Sequence, residues 1–186
     1  SEKTRKYAQE ILGSGVAVFD DYRRLLGEKA LDAVMIAVPE KWHQEVLSAA
    51  IDSGIPVFYE PPIAHTREKI RSISVQLLKA QQITHADMEL SFHPAIERVT
   101  ALIREKQIGR LQNVRITLQA NWGIEHADSD LCLIDRLTCW YIDVLNRIIG
   151  ALPRRVLVLD GYGHPGRRQT NSMGIYDYDG VWGVLQ

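Results

Sequence analysis

The sequence predicts an α/β chain in two parts: a partial parallel sheet wrapped by helices, then an α+β part with a mostly antiparallel sheet. Three observations carry this. Residues 32–39 read "DAVMIAVP", a continuously apolar run of the kind expected where a parallel strand is covered on both faces. Strand, helix and strand then follow one another within about 30 residues, the signature of a βαβ unit with a right-handed crossover. Residues 111–122, "LQNVRITLQANW", instead alternate apolar and polar positions, which suits an antiparallel strand with one covered face.

Residues 2–12 read as a helix with Tyr7, Ala8, Ile11 and Leu12 on one side, stopped by Gly13 and Gly15. "VAVF" (16–19) is a short strand and "DYRRLLG" a short helix. After the apolar strand, residues 42–53 form a helix closed by Gly54, and "PVFYE" (56–60) is the next strand. Thr66 caps a helix that turns Ile70, Ile73 and Leu77 inward, and "ITHADMEL" (83–90) is a further strand. Pro94 opens a helix bearing Ile96, Val99, Leu102 and Ile103, which Gly109 ends. A long helix covers 130–149, and "RRVLVLD" and "NSMGIYDYDGVWGVLQ" add two or three strands. The pattern changes near residues 88–93, dividing the chain into domains 1–90 and 91–186.

Bulk composition excludes several classes of partner. The 186 residues carry 22 Lys+Arg against 23 Asp+Glu with the signs mixed, a net charge of -1. No basic footprint for nucleic acid or an anionic membrane results, and neither is expected. No apolar run approaches the roughly 20 residues that span a bilayer, and "SEKTRKYAQEILGSG" lacks a signal-peptide core. The chain reads as soluble and cytoplasmic. Cys132 and Cys139 fall seven positions apart in one helix, about 10 Å at helical rise, which is too far for a disulfide. Zinc spacing is also missing, so two free thiols and no metal site are expected. "GYGHPG" (161–166) matches G-x-G-x-x-G, but the following "RRQTNSMG" has no apolar period for the helix that would hold a pyrophosphate. It reads as a surface turn.

The order of motifs resembles the glucose-fructose oxidoreductase/inositol dehydrogenase family (Gfo/Idh/MocA). "DAVMIAVP", "KWHQEVLSAAIDSG", "YEPPIA", "SFHPAIERVTALIREKQIG", "WYIDVLNRIIG" and "DYDGVWGVLQ" carry the resemblance over nearly the whole chain. It implies a partial Rossmann-like dinucleotide-binding domain, then a substrate and oligomerisation domain, both incomplete. The family's glycine-rich strand and ribose-selecting strand would precede residue 1. It further implies NAD or NADP as cofactor, hydride transfer at a sugar- or cyclitol-like hydroxyl as reaction, and a homo-oligomer.

In an open parallel sheet, ligands lie outside the carboxyl ends of the strands, which places Val38, Pro39, Glu60 and Pro61 at the cofactor edge. His43 matches a family His near that edge; as a first-turn residue its ring can equally be satisfied by backbone. Hydride departure from a hydroxyl requires a proton acceptor. The family's acceptor is the Lys of E-K-P, and Pro61 stands in its place, leaving Glu60 as the nearest titratable group. The long helix presents Asp135, Arg136, Asp143, Asn146 and Arg147 on one arc of about 0 to 120° at 100° per residue. The family's D-x-x-x-H on this helix aligns with Arg136 and Trp140, while a one-residue slip makes Asp135 the acidic member. Asp143 is placed to pair with Arg147 at i,i+4. His93, Trp122 and Trp140 are further substrate candidates, Trp as an apolar wall for a ring-shaped ligand. A catalytically silent relative used for binding or assembly is the alternative to an enzyme.

Overall fold

A computed structural model describes residues 2–13, 15–28, 31–64, 66–119, 133–161 and 171–186, apart from the side chains of 133–137 and 160–161. The chain forms two compact units, Ser1–Asp87 and Met88–Gln186.

The first unit contains helix α1 (Glu2–Leu12), α2 (Tyr22–Leu26), strand β1 (Val34–Ile36), α3 (His43–Asp52), β2 (Val57–Tyr59), α4 (Arg67–Lys79) and β3 (Thr84–Ala86). The three strands pair in parallel in the order β1-β2-β3, with Val34 beside Val57 and Val57 beside Thr84. Side chains alternate across a strand, so Ile36, Val57 and Tyr59 turn to one face. There they bury against Val46, Leu47, Ala50 and Ile51 of α3 and Ile73 of α4. Thr66 caps α4 as its sequence indicates, accepting a hydrogen bond from the Lys69 amide at 3.3 Å.

Two expectations for this unit are corrected. Residues 16–19 are not a strand: the described sheet has three members, and an extended segment without a ladder partner keeps no strand pairing. Among the described residues, the apolar run 32–39 is covered on one face only. Met35 is 67% exposed, in a row with Phe58 and His85, whose rings stack at 5.6 Å. An unbroken apolar run reports composition, and only packing decides whether a second layer covers it. Helix α1 forms over the expected residues, with Tyr7, Ile11 and Leu12 exposed.

The second unit contains α5 (Pro94–Arg104), β4 (Asn113–Ile116), α6 (Leu133–Ile149), β5 (Arg155–Gly161), β6 (Asn171–Asp177) and β7 (Trp182–Leu185). Its sheet has the order β4-β7-β6-β5. Neighbours β5/β6 and β6/β7 are antiparallel, but β4 pairs with β7 in parallel. The antiparallel reading of residues 111–122 is therefore corrected. Alternation shows that one face is covered and says nothing about strand direction. Between β6 and β7, Asp179 and Gly180 both have positive φ (63° and 97°), the geometry that type I′ hairpin turns demand and Asp-Gly supplies.

Helix α6 lies over this sheet. Leu145 is fully buried with Tyr176, Tyr178 and Leu185. Glycines make room for the rings: a Cβ on Gly183 would stand 2.8 Å from the Tyr178 ring and 3.5 Å from Leu145, and one on Gly174 would stand 2.7 Å from the Tyr176 ring. The Tyr178 hydroxyl donates to Asn146 Oδ1 at 2.8 Å, and burial, with Tyr176 beside it, pushes the Tyr178 phenol up to about 12. At the start of β5, Arg155 donates to the Asp177 carboxylate from Nε at 2.8 Å and from Nη2 at 2.6 Å. That bond, helped by the Asp179 amide, holds the Asp177 carboxyl below its ordinary value.

Two measurements check this packing. Leu47 is 1% exposed, and Leu47→Ala lowers stability by about 2–5 kcal/mol in urea unfolding, the cost of an unfilled core site. A carboxyl with a depressed folded-state value stabilises above the unfolded pKa, and that contribution is lost as pH falls through the folded value. Arg155→Gln therefore lowers stability at neutral pH, and its difference from wild type shrinks as the solution is acidified.

Candidate functional site

The parallel direction of β1, β2 and β3 puts the residues that follow them, 37–39, 60–63 and 87, at one edge of the first unit. The ladder continues into this edge: the Glu60 amide donates to Ile36 O at 3.1 Å and the Asp87 amide to Tyr59 O at 2.8 Å. Pro39 precedes a 3-10 turn, Glu40–Trp42, which leads directly into α3. Pro61 is buried and Glu60 half-buried.

His43 is the first residue of α3 and only 4% exposed. Its Nδ1 lies 2.7 Å from the carbonyl oxygen of Pro62 and its Nε2 2.6 Å from that of Val38. Both ring nitrogens are thus taken up by backbone, one on each side of the βαβ unit. The structure brings Val38, His43 and the Glu60–Pro62 segment together. It leaves the imidazole no free nitrogen to offer a ligand.

The edge fits one end of a dinucleotide better than the other. Segments 37–39 and 60–63 read "AVP" and "EPPI", aliphatic but for Glu60, with no Lys or Arg. Such a surface suits a flat, weakly polar ring. A pyrophosphate calls for backbone N–H groups or cations, and three of these seven residues are prolines. A polar cleft of about 490 Å³ exists elsewhere in the unit, lined by Tyr22, Arg23, Lys41, Glu45, Asp52 and Lys69 among others. It includes none of the strand-end residues. Its Glu45 carboxylate is held by the Tyr22 hydroxyl at 2.8 Å and by Arg23 at 2.5 Å.

In the second unit the candidate residues have separate surroundings. His93 is exposed and caps α5, its Nδ1 accepting from the Ala95 amide at 3.2 Å, with Pro94 at the first helical position. Asp143, half-buried on α6, accepts a hydrogen bond from the Ser91 hydroxyl. The expected Asp143–Arg147 pair is absent: the Arg147 guanidinium lies over the Phe92 ring at 5.2 Å. Asp135 and Arg136 occupy the first turn of α6, their side chains being outside the described residues, as is Trp122. Trp140 is half-buried on the same helix. Beyond Gly161 the "GYGHPG" segment is also outside the described residues. Among the described residues no three His, Cys, Asp or Glu converge as metal ligands, and no helix is long and apolar enough to cross a membrane.

Sequence reasoning missed Ser91. It is 2% exposed and 52 residues from Asp143, and a serine between Leu90 and Phe92 carries no local signal of a distant carboxylate partner.

A three-stranded parallel α/β sheet with an aliphatic strand-end edge, followed by a mixed and mostly antiparallel sheet, defines a chain with a Rossmann-like unit and a second α/β unit. Its first part is similar to the Gfo/Idh/MocA oxidoreductase family. Residues 1–88 match the family model "Oxidoreductase family, NAD-binding Rossmann fold". Over 176 residues the chain is 25% identical to inositol 2-dehydrogenase 2 of Saccharopolyspora erythraea, covering 90% of this chain and 50% of that protein. The crystal structure of myo-inositol 2-dehydrogenase from Lactobacillus plantarum matches the fold with a TM-score of 0.85 at 18% identity, over 100% of this chain and 58% of that one. GenD2 from gentamicin A biosynthesis, solved in complex with NAD, matches with a TM-score of 0.82 at 15% identity, over 100% and 55%. The chain spans about half the length of the curated inositol dehydrogenase it matches.

The Ser91–Asp143 bond is open to direct test. Ser91→Ala leaves a half-buried carboxylate without its donor and destabilises the second unit by about 1–3 kcal/mol, read as a lower urea midpoint. Substituting exposed Glu97 on α5 with Ala serves as the control and leaves the midpoint within about 0.5 kcal/mol.

Proposed function

We propose that the protein containing this chain is an NAD(P)-dependent oxidoreductase acting at a hydroxyl or carbonyl carbon of a sugar- or cyclitol-like substrate. The supporting observation is the strand-end edge of the first unit, where parallel pairing and His43 hold Val38, Pro39, Glu60 and Pro61 in a surface suited to a flat ring. Residues 1–90 are the cofactor domain in this reading, and 91–186 the substrate domain.

When bound, a nicotinamide dinucleotide supplies the hydride acceptor. This chain has to supply a base for the hydroxyl proton, because loss of hydride from an alcohol carbon leaves a developing carbonyl. Pro61 has no ionisable group, so Glu60 takes that role in our reading. Asp135 and Asp143 are the acidic candidates on α6, with His93, Trp122, Arg136 and Trp140 toward the substrate. Asp143 is the weakest of these, since the Ser91 hydroxyl already engages its carboxylate.

A second reading is favoured by Pro61 and by the β5 surface. Val156, Leu157, Val158 and Leu159 are 40–55% exposed, and Trp182 is 48% exposed. These residues suit burial against another copy in a homo-oligomer. A catalytically silent relative that works by assembly or ligand binding would keep this surface and need no base at residue 61.

Titrating the protein from its native source with NADH and NADPH tests the first reading. Saturable binding below millimolar concentration is the expected result, and failure with both cofactors removes the enzyme reading. Substrate-dependent NADH formation from a polyol would eliminate the silent one. Pro61→Lys is expected to raise a weak activity, and a flat response would favour the silent relative.

A further inference from the structure

We propose that His43 is a positioning residue that ties the carboxyl ends of β1 and β2 together, and that it does so as a doubly protonated imidazolium. The inference deepens the strand-end reading and rests on it for its functional consequence, while its own test does not need a cofactor.

Hydrogen counting carries the inference. The carbonyl oxygens of Val38 and Pro62 only accept, and they lie 2.6 and 2.7 Å from the two ring nitrogens. A neutral imidazole has one N–H and one lone pair, so it satisfies one of these contacts and sets a lone pair against the other oxygen. With the ring 4% exposed, water has little access to mediate the second contact. Two N–H groups satisfy both carbonyls at once. Hydrogen bonds from a charged donor are also shorter and stronger than neutral ones, in keeping with both distances.

The placement gives the tie a purpose. Val38 is five residues before His43 and Pro62 nineteen after it, so one ring joins the end of β1 to the end of β2 across the start of the crossover helix. Prolines 39, 61 and 62 have no amide hydrogen, which leaves these segments poor in backbone cross-links of their own. The charged residues on the adjoining segments are Glu40 and Lys41 before α3, Glu45 and, at its far end, Asp52 on α3, and Glu60 after β2. Glu45 is engaged by Tyr22 and Arg23. Glu60 puts a negative charge on the same segment as Pro62.

The test is a long-range ¹H–¹⁵N correlation spectrum of the uniformly ¹⁵N-labelled wild-type chain at neutral pH, with the His43 ring assigned by its disappearance in His43→Phe. Two protonated nitrogens are expected. A single neutral tautomer would overturn the proposal. As a second readout, His43→Phe keeps a planar ring but removes both donors, so the amides of Val38, Glu60 and Ile63 should exchange faster with solvent while those in the middle of α3 stay protected. Unchanged exchange at these three amides would also overturn it. If His43→Phe does not fold, the His43 ring is assigned in the wild-type chain by nuclear Overhauser contacts from its ring protons to Val38 and Pro62. Two protonated nitrogens in a protein that binds neither NADH nor NADPH would sustain the tie and defeat the functional reading, so the two failures are distinguishable.

Discussion

Parallel pairing of three short strands is the constraint on which the candidate site depends. Each strand contributes only three paired residues, too few to fix a loop by themselves. Their shared direction nevertheless delivers three chain segments to one edge, and the ladder bonds from Glu60 and Asp87 set how far each segment has advanced when it arrives. An antiparallel arrangement would have sent Pro39 and Glu60 to opposite ends. The core formed by Leu47, Ala50 and Ile73 matters to the site because it keeps α3 seated, and α3 carries His43.

Much of the first unit was legible in the sequence because its signals are local. Thr66 three residues ahead of Lys69 and Gly54 after α3 each act through a neighbour within one helical turn. What was not legible depends on distant parts of the chain. Residues 16–19 have strand-like chemistry but no partner in the described sheet. The direction of β4 was fixed by β7, almost 70 positions further on, and no pattern within β4 encodes it. Met35 shows the same limit: its side chain belongs to an apolar run, yet the layer that would cover it cannot be read from the run itself.

The site divides along the same line. The sequence placed Val38, Pro39 and Glu60 at the edge because strand ends are predictable from strand existence. It left open whether His43 faces a ligand or the backbone, and the structure gives both of its nitrogens to carbonyls. On α6 the angular pattern separated the buried face of Val144, Leu145 and Ile148 correctly from the polar one. The pattern's error lay in the polar partners. Asp143 found Ser91, and Arg147 found an aromatic ring, partners outside the helix that its angular pattern does not show.

The four apolar residues of β5 have a consequence for handling the molecule. Val156 to Leu159 are exposed in succession, so apolar side chains emerge on both faces of a strand at the sheet's margin, whose outer backbone groups have no ladder partner among the described strands. Short runs of this kind, β-branched or aliphatic and without charge or proline, are templates for edge-to-edge aggregation. The colloidal behaviour of the isolated chain is therefore governed by this strand and not by the cohesion of either core. A preparation can be well folded and still lose material with rising concentration.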